Sequence, residues 1–210
     1  MIINRLKKIF KQGQIIKQGQ KILILYALYA VFNLFSQIVT VTPQAEAQEP
    51  SRQEIQAAMI IKFTDFIEWP QESFAENSED FTIAVIGENK YEGIFEPFTK
   101  RLFQDKKLKI VYYKDIENIY KDVENIGKVQ ILIFNISKKK KVKTLLDKLK
   151  GKPILTVGDS PEFAEHGGII NFVKKANNKI GFEINIESKD FSGIKISSHL
   201  LKLGKIITPE

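Results

Sequence analysis

The chain has 210 residues, 43% of them hydrophobic and 10% aromatic, with a formal charge of +7 and no cysteine. That length and apolar content support a real core and exclude disorder of the whole chain. The absence of cysteine excludes a disulfide scaffold, a zinc ribbon, an iron–sulfur centre and any thiol nucleophile. Six basic side chains and one acid fall within residues 1–47, leaving 26 basic against 24 acidic groups in the remainder. The positive charge is thus a leader feature, and no phosphate-tracking surface for DNA or RNA is expected.

Ile22 to Phe35 is a run of fourteen residues with Asn33 as its one polar side chain, and a polar stretch then ends in Ala45-Glu46-Ala47. A basic start, an apolar middle and a small-residue end are the layout of an export signal. Fourteen helical residues span about 21 Å, short of the ~30 Å bilayer core, unless the run extends to Val41 and stays uncleaved as an anchor. Residues 1–47 are therefore expected to be a signal peptide or N-terminal anchor, 48–54 a linker and helix cap, and 55–207 a single domain. Either fate of the leader puts the body on the far side of the membrane.

Ser51 and Glu54 form an S-x-x-E pattern, which starts a helix by satisfying its own free amides. Ile55, Met59, Phe63, Phe66 and Ile67 follow at helical spacing, with Pro70 as the stop. Phe81 to Ile86 reads as a strand, Tyr91 to Arg101 as a short helix that Pro97 kinks, and Leu108 to Tyr113 as a second strand. Val129 to Ile136 is nearly all apolar, as a strand covered on both faces would be, and Ser137 is placed to cap the helix carrying Val142, Leu145, Leu146 and Leu149. Ile154 to Val157 gives a further strand, followed by a turn at Gly158-Asp159-Ser160-Pro161. Ile169 to Val173 and Lys179 to Ile186, joined by five polar residues, predict an antiparallel hairpin. A last helix is expected over Ser188 to Ile207.

The whole reads as an α/β fold: a single domain with a mixed, mostly parallel sheet flanked by helices, ending in an antiparallel hairpin and a C-terminal helix. The expected core includes Met59, Phe63, Phe66, Val85, Ile131, Ile133, Leu145, Leu155, Ile170, Phe172, Ile184 and Leu201.

Little in the chain has the spacing of a reaction centre. Gly158-Asp159-Ser160 resembles a hydrolase block only weakly, because Ile196 rather than an acid stands three residues before His199. His166 and His199 lack the pairing of a helical metal site, and no glycine-rich phosphate loop occurs. Lys138 to Lys141 place four positive charges where a helix starts, the end that favours acids; a lipid headgroup, an acidic partner or solvent would compensate them. No cofactor or metal is expected, and no enzyme.

The blocks AAMIIKFTDFIEWP (from Ala57), PILTVGD (from Pro153), GGIINFV (from Gly167), FEIN (from Phe182) and ISSHLLKLGKI (from Ile196) resemble, in the same order, the YfiR/HmsC family of exported bacterial proteins. The resemblance implies a periplasmic α/β domain without enzymatic activity. It implies a negative regulator that binds the periplasmic region of a membrane-bound diguanylate cyclase and holds cyclic-di-GMP, and so biofilm formation, low. A sensor kinase is the other membrane partner it admits, with an outer-membrane lipoprotein and a second copy of the chain as further partners. The resembling proteins carry disulfide-forming cysteines, so redox control does not transfer to this chain. The alternative is a periplasmic small-molecule sensor or solute-binding domain serving another signalling protein, since α/β sheets place ligands beyond strand ends.

Alternation along Lys179 to Ile186 sets Gly181, Glu183 and Asn185 on one face and Phe182, Ile184 and Ile186 on the other. An acid in such a strand must be solvated, paired or protonated, with Asn171 and Lys202 as the nearest expected partners. Asn171, Glu183, Asn185, Ser197, Ser198 and Lys202 are therefore the candidate ligand or partner site. The competing reading is a simple ion pair pinning the last helix to the sheet.

Overall fold

The computed structural model describes residues 19–33, 49–121, 126–136, 138–176 and 179–208. The chain divides into two units, Met1–Glu49 and Pro50–Glu210. In the first, residues 19–33 form a helix (α1) whose large apolar side chains from Ile22 to Phe32 are exposed. Among the described residues no helix is long and apolar enough to cross a membrane.

The second unit opens on α2 (Arg52–Phe63), which begins as its sequence dictates. The Ser51 amide donates to Glu54 Oε2 at 2.6 Å, and the Glu54 amide donates to Ser51 Oγ at 3.2 Å. Two otherwise free helix-end donors are thereby satisfied. The buried stripe is Gln56, Ala57, Ile60, Ile61 and Phe63, one step round the helix from the expected one, which leaves Met59 half-buried and Ile55 exposed. Nor does Pro70 end the helix. Thr64 caps it, its hydroxyl donating to the Ile61 carbonyl at 2.6 Å, and a 3-10 turn over Thr64–Phe66 leads into an extended pair, β1 (Ile67–Glu68).

The main sheet contains β2 (Asp80–Gly87), β3 (Leu102–Phe103), β4 (Lys106–Tyr113), β5 (Ile131–Asn135), β6 (Leu155–Gly158), β7 (Ile170–Lys174), β8 (Ile180–Asn185) and β10 (Lys205–Ile207). Their spatial order is β10-β8-β7-β6-β5-β2-β4-β3. From β4 to β7 all neighbours are parallel; β7 and β8 form the expected antiparallel hairpin, and β10 returns parallel to β8. Alternate residues of the central strands feed two cores. Ile83, Val85, Ile131, Ile133, Leu155 and Val157 meet α2 on one face. Ala84, Ile86, Leu132 and Phe134 meet α3 (Ile116–Lys121) and α4 (Lys139–Leu149) on the other. Burial on both faces explains why these strands read as continuous apolar runs. The expected cap at Ser137 lies outside the described residues.

Two expected helices are different objects. Tyr91 to Arg101 is a chain of turns with one 3-10 segment at Glu96–Phe98. Its bonds run three residues apart, such as Ile94 N to Tyr91 O at 3.1 Å, because Pro97 lacks an amide for a longer ladder. The last helix is split into α5 (Ile186–Ser192), β9 (Lys195–Ile196), α6 (Ser198–Leu203) and β10. Gly193 causes the break: at φ 75° it ends α5 in the left-handed conformation that glycine adopts at least cost. The freed β9 pairs antiparallel with β1, Ile67 opposite Ile196, and the C-terminal helix is the six-residue α6. Phe66 and Leu201 are consequently half-buried at the margin of the core.

Asp65, beyond α2, joins two segments. Burial pushes its carboxyl up, but hydrogen bonds from Lys62 (2.9 Å) and Arg101 outweigh burial and hold it below the usual aspartate range. A group with a lowered folded-state pKa contributes stability that is complete above its unfolded pKa and lost as pH falls through the folded one. Asp65→Asn is therefore expected to lower the melting temperature at neutral pH and to match the parent protein in strong acid, as a pair of pH–Tm curves would show.

Candidate functional site

The hairpin pairs Asn171 with Glu183, Phe172 with Phe182 and Ile170 with Ile184. Phe172, Phe182, Ile170 and Ile184 enter the α2-side core, as alternation predicts, so Asn171, Glu183 and Asn185 share the opposite face. Asn171 is 3% exposed; its amide nitrogen, assigned to the side that pairs it, donates to the Gly158 and Ser160 carbonyls at 3.2 Å each. Asn185 is 1% exposed, donates to the Ala164 carbonyl at 2.6 Å and accepts from the Ser188 amide at 2.9 Å as the cap of α5. Both amides hold the loop after β6 against the hairpin.

Glu183 pairs with Lys205, Nζ to Oε1 at 3.0 Å, and the two residues are register partners across β8 and β10. Lys202 is exposed on α6, and Glu183 binds neither it nor the Asn171 amide. Lys205 was hidden from sequence reasoning because its segment reads as helix. Its signal is Gly204, which caps the end of α6 in extended conformation and leads into β10.

The other three residues sit on α6. Ser197 caps it, Oγ accepting from the Leu200 amide at 3.5 Å, while its own amide donates to the Phe66 carbonyl at 2.9 Å. Ser198 and Lys202 are exposed. Leu200 packs into the same core as Phe182 and Ile184, so α6 covers the face turned away from Glu183. The six residues form two groups: a face of Asn171, Glu183 and Asn185, to which Lys205 is added, and an outer row of Ser197, Ser198 and Lys202.

Asn185 also borders a pocket of about 350 Å³ whose wall includes His166, Glu187, Ser188, Lys150 and Phe191. Phe191 is 57% exposed, with the Lys150 ammonium 4.3 Å from its ring centroid. Asp159 is occupied elsewhere: Tyr91 Oη donates to Gln56 Oε1 at 2.8 Å, Gln56 Nε2 donates to Asp159 Oδ2 at 3.4 Å, and Arg52 stands 3.9 Å from the same oxygen. Burial raises the Tyr91 phenol well above its usual range, so it remains a donor. The Ser160 carbonyl accepts from the Phe163 amide at 3.2 Å, and His166 Nδ1 lies 2.6 Å from the Glu162 carbonyl. Among the described residues no cluster of three metal-ligating side chains occurs.

Two of the four consecutive lysines find acids within the chain. Lys139 bonds Glu162 at 2.8 Å and Lys141 bonds Glu117; each hydrogen bond holds its glutamate below the usual carboxylate range.

Fold and site together define a mixed α/β protein whose largely parallel sheet ends in an antiparallel hairpin. Residues 53–205 match the YfiR/HmsC-like family, and the chain belongs to it. That family is one of periplasmic regulators. A comparison with curated proteins finds no match.

Proposed function

We propose that the protein is a non-enzymatic periplasmic regulator that binds the periplasmic region of a membrane-bound diguanylate cyclase and keeps cyclic-di-GMP, and with it biofilm formation, low. The observation carrying this reading is the family match over residues 53–205, which spans nearly all of the folded unit. In this account residues 1–47 export the chain or anchor it, 48–54 link and cap, and 55–207 dock on the partner. A sensor kinase in place of the cyclase, sequestration by an outer-membrane lipoprotein, and a homodimer are variants of the same scheme. The pocket beside Asn185 supports a second reading, a sensor of a small polar ligand serving another membrane protein.

The docking or ligand site is assigned to Glu183, with the buried Asn171 and Asn185 holding the loop behind it, and, on the opposite side of the sheet, to Ser197, Ser198 and Lys202. Glu183 separates function from architecture. Its pair with Lys205 is partly solvated, the lysine side chain being 74% exposed, and such pairs contribute at most about 1 kcal/mol. Glu183→Gln is expected to melt near the parent temperature yet to capture less of the cyclase's periplasmic region from an envelope extract. Full capture and full regulation by a well-folded variant would remove Glu183 from the site.

A further inference from the structure

β5 pairs with β2 on one side while β4 pairs with it on the other, all three parallel. The connections leaving these strands part company at their carboxyl ends, the position at which open α/β sheets take ligands. A crevice of about 520 Å³ opens there, bordered by Gly87, Lys114, Ile116, Asn135, Ile136 and Lys138. Its volume lies in the range of small-molecule sites.

The floor is bare backbone. Gly87 has φ 99°, and a Cβ on it would lie 2.3 Å from the Asn135 carbonyl oxygen, so no side chain fits. The Glu88 amide donates to that oxygen at 3.3 Å, and Asn135 Nδ2 donates to the Glu88 carbonyl at 2.6 Å. The two strand ends are thus laced together, and the cavity between them is kept clear.

The charges around the rim do not cancel. Lys141 is bonded to Glu117, Lys90 pairs with Glu88 at 2.9 Å, and Asp115 Oδ1 accepts from the Asn118 amide at 2.9 Å. Lys114 and Lys138 are exposed and form no salt bridge among the described residues, although Lys138 is near enough to Glu117 to help hold its carboxyl below the usual range. Lys90, Lys114, Lys138 and Lys141 stand against Glu88, Asp115 and Glu117 around the rim, a surplus of one positive charge that suits an anionic phosphate group. Lysine serves this purpose as a point charge without strict geometry. Ile116 and Ile136 add an apolar wall for the rest of the ligand.

We propose that this crevice binds a phosphate-bearing small molecule or headgroup, with Lys114 and Lys138 supplying the charge. The proposal goes beyond the regulatory reading and does not depend on it, since binding is read on the purified protein and regulation in the cell.

The test is titration of the purified full-length chain with pyrophosphate by calorimetry, and cosedimentation with phosphatidylglycerol vesicles against phosphatidylcholine vesicles. The Lys114→Gln/Lys138→Gln double variant is expected to lose at least tenfold in affinity for whichever probe binds. Lys100→Gln/Lys195→Gln, removing two exposed lysines outside the crevice, is expected to keep it. Lys114→Arg/Lys138→Arg retains the charges and should restore binding, which guards against a folding defect in the glutamine variant. Pyrophosphate binding identifies a free phosphorylated ligand; binding to phosphatidylglycerol vesicles alone identifies a lipid headgroup. Absence of binding to either probe at millimolar concentration, or equal binding by the parent and glutamine double variant, would overturn the proposal.

Discussion

Phe172→Ala should destabilise the fold by about 3 to 5 kcal/mol, the usual cost of removing a buried phenyl ring from a core that cannot collapse around the gap. The ring is 2% exposed, stands 6.0 Å from Phe63 at an interplanar angle of 21°, and lies opposite Phe182, itself 4.9 Å from Phe63. These three rings join α2 to the hairpin, so their loss loosens the attachment of the sheet's antiparallel end. The urea midpoint should fall with an unchanged slope. A cost below about 1 kcal/mol would mean that the ring does not bear on the core as the structure places it.

Gln130→Met removes a hub of comparable weight from a side chain with no exposure to solvent. The Gln130 side chain donates to the Ser73 carbonyl at 2.7 Å and the Lys128 carbonyl at 3.1 Å, and accepts from the Thr82 amide at 2.7 Å. Its backbone carbonyl accepts from Trp69 Nε1 at 2.9 Å and from the Leu155 amide at 2.9 Å. Methionine keeps the length and loses the side-chain bonds, leaving one buried and two partly buried backbone groups without that partner, the buried one at about 1 to 3 kcal/mol. A total loss of about 2 to 5 kcal/mol is expected by urea titration, together with faster amide exchange at Thr82.

Which parts of this architecture were legible follows from where the information sits. The Ser51–Glu54 cap is local chemistry and was read directly, as were the apolar strands β2, β5 and β6 and the hairpin faces. Phe172 and Ile184 fall on the core face because period-two alternation requires it. What failed was non-local. β1 and β9 are two residues each and pair Ile67 with Ile196 across most of the chain, a contact that no local pattern announces. The alternation of β8 calls for a partner for Glu183, yet Lys205 becomes its neighbour only once β10 joins the sheet. Gln130 was concealed by its own surroundings: one amide in an apolar run looks like an exception, whereas the structure makes it the junction of four segments. The lysine run was visible, but the acids that match Lys139 and Lys141 come from Glu162 and Glu117, more than twenty residues away.

The same organisation makes sense of a regulator. The parallel strands and their two cores form a platform, while the partly exposed Glu183 of the hairpin and the exposed Ser198 and Lys202 of α6 lie toward the sheet edge. Regulation of the kind proposed requires no reacting side chains, only a surface that a membrane signalling protein can engage. The most direct test is cyclic-di-GMP measured in cells lacking this protein and in cells with it restored. The account predicts a rise on deletion, reversed by the parent chain, with a diguanylate cyclase recovered as its envelope partner; unchanged cyclic-di-GMP together with an unrelated partner would contradict it.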